Sequence, residues 1–331
     1  MYNSDMSRII ISPSADVYLN LAAEERLFKD FDGEPVLFLW RNHDAIVIGK
    51  WQNAWKECDV AAAERDGIKI ARRLTGGGAV FHDLNNLNYT FIASAREYDV
   101  GRQTNVIRKA LRSLGVNAAV SGRNDLTVNG LKVSGNAFRR SDGKGLHHGT
   151  LLISFDGGKM EKYLRPSPLK LSSKGVASVR SRVCALKEVV SDISVSDVAK
   201  SIAESFTEEF GKASFMKFVS EEYLSEARLF ASKEFVLGKN PPCALSVEFL
   251  SPCGLTEIEF DVVKGAIVAT KIYSDTLDEE LPTKAENALT GIPFTPDSIR
   301  YALNRSDDSI LCEFGNSLAK ALSTQIFGKK K

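Results

Sequence analysis

The stretch DLTVNGLKV at residues 125–133 restricts the fold more tightly than any other part of the chain. Asn129 and Gly130 sit between alternating apolar residues. A type I′ turn needs positive φ at both central positions, and Asn-Gly adopts that geometry with little strain. The pair therefore predicts a β-hairpin, and Asp125 and Lys132 fall near each other on its adjacent strands. A lysine at that point can stabilise negative charge developing as a carboxylate attacks a phosphate. Asp125 could share a Mg2+ with phosphate oxygens. Taken alone, an ordinary cross-strand salt bridge accounts for the same pair.

Around this hairpin, strand and helix patterns mingle without strict βαβ alternation. Asp16 can cap a helix over residues 16–30, where Leu19, Ala22, Ala23 and Leu27 recur at helical spacing. VLFLW (36–40) and AIVIG (45–49) flank Arg41-Asn42-His43-Asp44 in a hairpin-like pattern. Further helices are expected over 59–66, 104–114 and 195–210, and strands over 68–72, 89–94, 118–121 and 148–155. The expected fold class is α+β, with mixed sheets flanked by helices rather than a doubly wound sheet.

The character changes near residue 245. Strands are expected over 245–250, 256–262 and 267–273, the last two joined by Lys264-Gly265, and helices from Pro282 onward. Pro293 and Pro296 start a new element. With Lys239-Asn240-Pro241-Pro242 as linker, the chain divides into a large domain over 1–242 and a small α+β domain over 243–331. Trp40, Trp51 and Trp55 all lie in the first part, and the second carries no motif that suggests chemistry, so it reads as a helper.

The charge balance argues against one broad class of function. The 331 residues include 43 basic and 42 acidic side chains, for a formal net charge of +1, without the basic excess of a general nucleic-acid binder. Cys58, Cys184, Cys243, Cys253 and Cys312 are scattered and never form a CxxC pair. That pattern fits reduced thiols in a cytoplasmic protein, not a zinc ribbon or a disulfide framework. MYNSDMSRIIIS lacks the apolar core of a signal peptide, and no apolar run is long enough to cross a membrane.

Three further segments carry chemical information. In RRLTGGGAVFHD (72–83), three glycines after a strand let backbone N–H groups approach a ligand, and Arg72 and Arg73 offer partners for a carboxylate or phosphate. His147 and His148 point to opposite faces of a strand, which disfavours a shared metal; one facing a pocket and one facing solvent is the expected arrangement. Residues 162–187 hold Lys162, Arg165, Lys170, Lys174, Arg180, Arg182 and Lys187 with no acidic residue. Such a loop is either a solvated basic surface or a segment that meets phosphates or an acidic partner.

Together these residues resemble a known family. RRLTGGGAVFHD, KVSGNA and HGTLL are similar to the three signature segments of lipoate-protein ligases. NLAAEE, LFLWRN, GRNDL and KGVASVRSRV match its bacterial ligase-A type in the same order. The similarity is dense over 10–210 and looser beyond, with a departure at 232–238, where the family is tryptophan-rich and this chain reads SKEFVLG.

The resemblance implies a biotin/lipoate-ligase-like catalytic domain and a small C-terminal accessory domain. It further implies ATP-dependent activation of free (R)-lipoate to lipoyl-AMP, with Mg2+, followed by transfer to a lysine of lipoyl domains. The implied acceptors are 2-oxoacid dehydrogenase E2 subunits and the glycine-cleavage H protein. Carried over residue by residue, Lys132 is the catalytic group, acting by its charge. Arg73, Thr75, Gly76, Gly77, His82, Ala137 and His148 would bind lipoate. Gly78, Val80, Phe81, Asp83, Asn86, Asn124, Asp125, Lys132, Arg180 and Arg182 would bind ATP or the adenylate, with Asp125 also at the metal. A monomer engaging neither nucleic acid nor membrane is the implied form.

The runner-up within the superfamily is an ATP-independent lipoyl or octanoyl transferase. The complete RRLTGGGAVFHD segment, the SVRSRV loop and the accessory domain favour ATP-dependent activation. Biotin ligation shares the fold, but its arginine- and glycine-rich adenylate loop is missing. A non-enzymatic binder of lipoyl domains is the reading from a different class.

Overall fold

A computed structural model describes residues 6–122, 124–165, 183–238 and 245–327. Its scaffold is an eight-stranded mixed sheet in the order β11-β1-β2-β6-β10-β9-β8-β7. The strands are β1 (Ser7–Ile11), β2 (Val36–Trp40), β6 (Asn86–Ser94), β7 (Ala119–Ser121), β8 (Asp125–Val128), β9 (Leu131–Ser141), β10 (Lys144–Leu152) and β11 (Ala213–Met216). Pairing is parallel from β11 through β2 and antiparallel from β2 to β7. A smaller sheet holds β3 (Ala45–Ile48) between β4 (Lys69–Arg72) and β5 (Val80–His82).

Both faces of the large sheet are covered, and the sequence of β2 shows why. Every residue of VLFLW is buried, the mark of a strand packed on both sides. On one face Leu37, Leu39, Tyr89 and Phe91 pack against α4 (Val100–Ser113) and α6 (Val195–Phe210) through Val106, Ile107 and Phe206. On the other, Phe38, Trp40 and Ile92 meet α1 (Val17–Lys29), α7 (Leu224–Ala231) and the small sheet through Ala22, Phe28, Phe230 and Val47. Short helices α2 (Ala54–Glu57), α3 (Val60–Arg65), α5 (Gly157–Tyr163) and α8 (Lys233–Leu237) close the small sheet's outer side.

The expected hairpin between residues 36–40 and 45–49 does not form. β2 is already paired on both edges, to β1 and β6, which leaves β3 no ladder to join. The connection is instead tied to α1: Asn20 Nδ2 donates to Arg41 O, and His43 N donates to Ala15 O. The Asn129-Gly130 hairpin does form, with φ of 52° and 80°. Asp16 caps α1 by accepting from the backbone N–H groups of Tyr18 and Leu19.

The C-terminal part is an antiparallel meander of β12 (Leu245–Ser251), β13 (Gly254–Val263) and β14 (Ala266–Ser274). Its face is covered by α9 (Leu281–Leu289), α10 (Pro296–Leu303) and α11 (Ser309–Gln325), around Phe249, Phe260, Leu303 and Phe314. The expected linker at 239–242 and the proposed boundary beside it lie outside the described residues. The two parts meet along the β14–α9 connection. Ser274 N donates to Trp51 O at 2.9 Å, Lys56 pairs with Glu257, and Arg139 lies 3.8 Å from Glu279.

Burial pushes the Glu279 carboxyl up to about 7, outweighing Lys50 and Arg139, while Glu25 and Asp278 act in the same direction as burial. The folded protein therefore holds this proton where an unfolded chain, with an ordinary carboxyl near 4.5, has lost it. Stability from this group is complete below that value and declines as pH rises through about 7. We predict that Glu279→Gln narrows the difference in melting temperature between pH 5 and pH 8. An unaltered difference would show that Glu279 does not titrate in this window.

Candidate active site

The site is built where β4 ends. Arg72 leaves the strand and donates to five carbonyls, those of Gly49, Lys50, Gln52, Phe235 and Val236, at 2.6–3.1 Å. Arg73 turns back into its own loop and donates to Val47 O, Gly76 O and Gly78 O, and to Thr75 Oγ1. Burial lowers both guanidinium groups to about 10, a range in which they stay charged at neutral pH. The expectation that this pair offers its donors to a ligand is revised accordingly. Their fork geometry is filled by backbone oxygens, and they brace the glycine loop.

The glycines have separate steric reasons. Gly77 has φ of 91°. A Cβ on Gly49 would lie 2.1 Å from Gly77 O, and one on Gly76 would lie 2.0 Å from Thr276 O. Gly77 N also donates to Thr276 O at 3.0 Å. The loop is thus sandwiched between the β3 exit and the C-terminal part.

A second set of side chains fixes the wall beside the loop. His148 on β10 contacts Glu24 Oε1 of α1 through Nδ1 and Thr75 Oγ1 through Nε2, both at 2.8 Å. A carboxylate can only accept, so Nδ1 donates to Glu24, and the Thr75 hydroxyl, which accepts from Arg73, lies against Nε2. The Glu24 carboxylate also accepts from Thr90, whose hydroxyl accepts from Trp40 Nε1. His147 does not face solvent, as the strand reading expected. It is fully buried on the other face of β10 between Gln103 and Asn136, where burial lowers it to about 3.

Lys132 Nζ lies 2.7 Å from Asp125 Oδ1, with both side chains only partly exposed. The contact is not directly cross-strand. A bulge between Leu126 and Thr127 sets Asp125 opposite Gly135 and Thr127 opposite Lys132. Lys132 reaches Asp125 across the space above Gly135, where a Cβ would meet Nζ at 2.6 Å. The Lys132 carbonyl accepts from Cys184 N, which ties Val183 to the same strand.

These groups surround one cavity. Its wall includes Arg73, Gly77, Gly78, Val80, Phe81 and His82 from the loop and β5, and Asn86, Asn124, Asp125, Lys132, Ala137 and His148 from the large sheet. Thr75, Gly76 and Asp83 are not part of the wall; Thr75 and Gly76 act behind it, and Asp83 accepts from Asn85 N at 2.7 Å. Arg180 and Arg182 lie outside the described residues. The wall also includes Leu21, Trp40, Val47 and Gly135, to which the sequence reading gave no site role, and Asp275 and Leu277 of the C-terminal part. The helper reading of that part is revised: it supplies wall. One buried acceptor, Asn86 Oδ1, has no partner among the described residues.

The comparisons with known proteins agree with this architecture. Residues 16–207 match the model of the lipoyl protein ligase A/B catalytic domain, and residues 241–324 match that of the bacterial lipoate protein ligase C-terminus. The crystal structure of P. falciparum LipL1 in complex with lipoate is 27% identical, with a TM-score of 0.84 over 95% of this chain and 99% of that one. A bipartite lipoate protein ligase from Thermoplasma acidophilum, analysed with its E2 lipoyl domain, is 27% identical over 72% of this chain and 99% of that one, with a TM-score of 0.62. A lipoate-protein ligase A bound with ATP is 25% identical over 70% of this chain and 99% of that one, with a TM-score of 0.61.

The packing of the loop yields a test. Gly76→Ala must displace the Thr276 backbone, and we predict a loss of about 1–3 kcal/mol in urea unfolding. Wild-type stability in that variant would mean the C-terminal part does not seat on the loop in solution.

Proposed function

The chain belongs to the lipoyl protein ligase A/B family, and from that premise we propose that it activates free lipoate with ATP and transfers the lipoyl group to a lysine of a lipoyl domain. The observation that carries the reading is the Lys132–Asp125 pair in the wall of a cavity that also has buried apolar lining at Leu21, Trp40 and Val47. A chain with a carboxylate head and an apolar tail matches that division. The lipoate, the ATP and the E2 lipoyl domain in the descriptions of the similar structures support the same substrates and acceptor class.

In the first step the lipoate carboxylate attacks the α-phosphorus of ATP and pyrophosphate leaves. The Lys132 ammonium stabilises the charge that builds on the phosphate and on the acyl oxygen. In the second step the neutral acceptor amine attacks the acyl carbonyl, the amide forms, AMP leaves and the amine's proton is lost. Lys132 acts by charge in both steps and forms no covalent bond. Enclosure keeps water from the mixed anhydride between them.

In this reading Arg73, Thr75, Gly76 and Gly77 shape the loop at the carboxyl end, and His82, Ala137 and His148 border the acyl chain. Gly78, Val80, Phe81, Asn86 and Asn124 border the nucleotide, and Asp83, outside the wall, holds the turn at Asn85 beside them. Among the described residues no cluster of three or more His, Cys, Asp or Glu could hold a metal by itself. Mg2+ is usually held by one or two carboxylates with phosphates and water, and Asp125 fits that role. The ion would neutralise phosphate charge. Among the described residues no helix is long and apolar enough to cross a membrane. A cytoplasmic monomer acting on E2 subunits and H protein completes the proposal.

The test is pyrophosphate release from ATP, Mg2+ and lipoate. We expect lipoate-dependent release that falls about 10²–10³-fold in Lys132→Ala. Release by the folded wild type that does not require lipoate, or none at all, would remove the activation step; transfer from preformed lipoyl-AMP would then indicate the ATP-independent transferase. A second variant, Gly135→Ala, intrudes only on the movable end of Lys132. We predict that it lowers the rate on the order of tenfold by misplacing the ammonium while the melting temperature stays close to wild type.

A further inference from the structure

The apolar end of the cavity contains one polar group whose proton can be placed from the hydrogen bonds around it. The two N–H groups of Asn20 Nδ2 face three acceptors, Ser14 O, Arg41 O and, at 3.0 Å, Asn42 Oδ1, so that one N–H is shared. Asn20 Oδ1 accepts from the Ser12 hydroxyl at 2.7 Å. With Oδ1 engaged by Asn20, Asn42 presents its Nδ2 to His82 Nδ1 at 3.0 Å. A ring nitrogen that accepts carries no proton in a neutral imidazole. Burial, with Arg73 and His148 nearby, lowers His82 to about 3, so the ring is neutral and its proton sits on Nε2.

That Nε2–H is buried, belongs to a side chain in the cavity wall, and has no acceptor among the described residues. Arg73 and His148, which lie near it, are engaged by the glycine loop and by Thr75 and Glu24. Leu21 and Val47 are apolar, and Trp40, whose ring meets His82 edge-on at 6.3 Å, donates its N–H to Thr90.

We propose that Asn42, oriented by Asn20 and Ser12, is a positioning residue that sets His82 as a hydrogen-bond donor to the far end of the acyl substrate, and that this donor selects a tail carrying sulfur over a saturated tail of similar length. The inference rests on the lipoate-activating reading above. With the carboxyl end at Lys132, the distal end of the chain is directed to the apolar lining where His82 stands. A saturated chain that displaces water from Nε2–H leaves the donor unsatisfied, whereas a dithiolane sulfur gives it an acceptor. Sulfur accepts weakly, so the discrimination is modest.

Two measurements test this on the full chain. In imidazole-15N-labelled protein, which has only four histidines, His82 should show the Nε2–H tautomer. Its Nε2–H resonance should move downfield with (R)-lipoate and not with octanoate. In pyrophosphate-release assays, the ratio of kcat/KM for lipoate to that for octanoate should fall about threefold to tenfold in His82→Phe. Asn42→Leu keeps the imidazole but releases its tautomer; the ratio should fall there too, with a mixed tautomer in the spectrum. An Nδ1–H tautomer in the wild type, or an unchanged ratio in both variants with normal lipoate turnover, overturns this inference alone. A wild type that activates neither acid overturns the parent reading and this one with it.

Discussion

A guanidinium placed inside a protein without a carboxylate partner is stable only if nearly every N–H finds an oxygen. Arg72 and Arg73 meet that requirement with backbone carbonyls, and this determines the layout of the site. Arg72 gathers the β3 exit and the end of α8 onto one point. Arg73 closes the glycine loop upon itself. Since the acceptors are main-chain groups, the arginines fix where the backbone runs. Lysine, with a single ammonium and no planar fork, could not span the same set of carbonyls.

From that bracing follows the placement of polar groups in the wall. The loop holds Thr75 against His148, and Glu24 holds His148 from the opposite side. The C-terminal part then seats on the loop through Thr276, where the glycines leave room for its backbone. Lys132 stands apart from this lattice. It pairs with a carboxylate and reaches it over a glycine, so it is the cation of the site that can be exchanged between partners. A braced wall beside a cation that can change partners suits a reaction in which charge appears, is stabilised, and is later released.

Local signals reported the parts of this arrangement that local physics determines. The Asn129-Gly130 turn, the Asp16 cap and the Lys264-Gly265 turn were legible because each depends on two or three neighbouring residues. The proximity of Asp125 and Lys132 was legible, although the bulge that sets their register was not. What escaped the sequence depended on distant partners. Nothing around Arg72 announces that carbonyls from residues 49–52 and 235–236 converge on it. Asp275 and Leu277 carry no local pattern that would assign them to a wall built mostly from the first half of the chain. The connection after β2 looked like a hairpin because β2 and β3 are both good strands; pairing of β2 on both edges decided otherwise.

One signal was present in the sequence at a longer range than a motif. A strand buried on both faces normally reads as a continuous apolar run. In β6, every residue from Asn86 to Ala93 is buried, yet Asn86, Asn88 and Thr90 alternate with Leu87, Tyr89 and Phe91. The register places His148, Thr150 and Leu152 of β10 beside Thr90, Asn88 and Asn86, with Trp40 of β2 on the other side of Asn88. A buried polar stripe on one face of an otherwise apolar sheet is unfavourable unless the stripe is satisfied internally or by a ligand. Here much of it is satisfied internally: Asn88 donates to Trp40 O, Asn86 donates to Asn88, and Thr90 donates to Glu24. Among the described residues the stripe's unpartnered atom, Asn86 Oδ1, belongs to a cavity-lining side chain, as does the unpartnered His82 Nε2 of β5. Alternating polarity inside a strand that topology buries on both faces therefore marks the face that lines the cavity, even where no single residue type suggests chemistry.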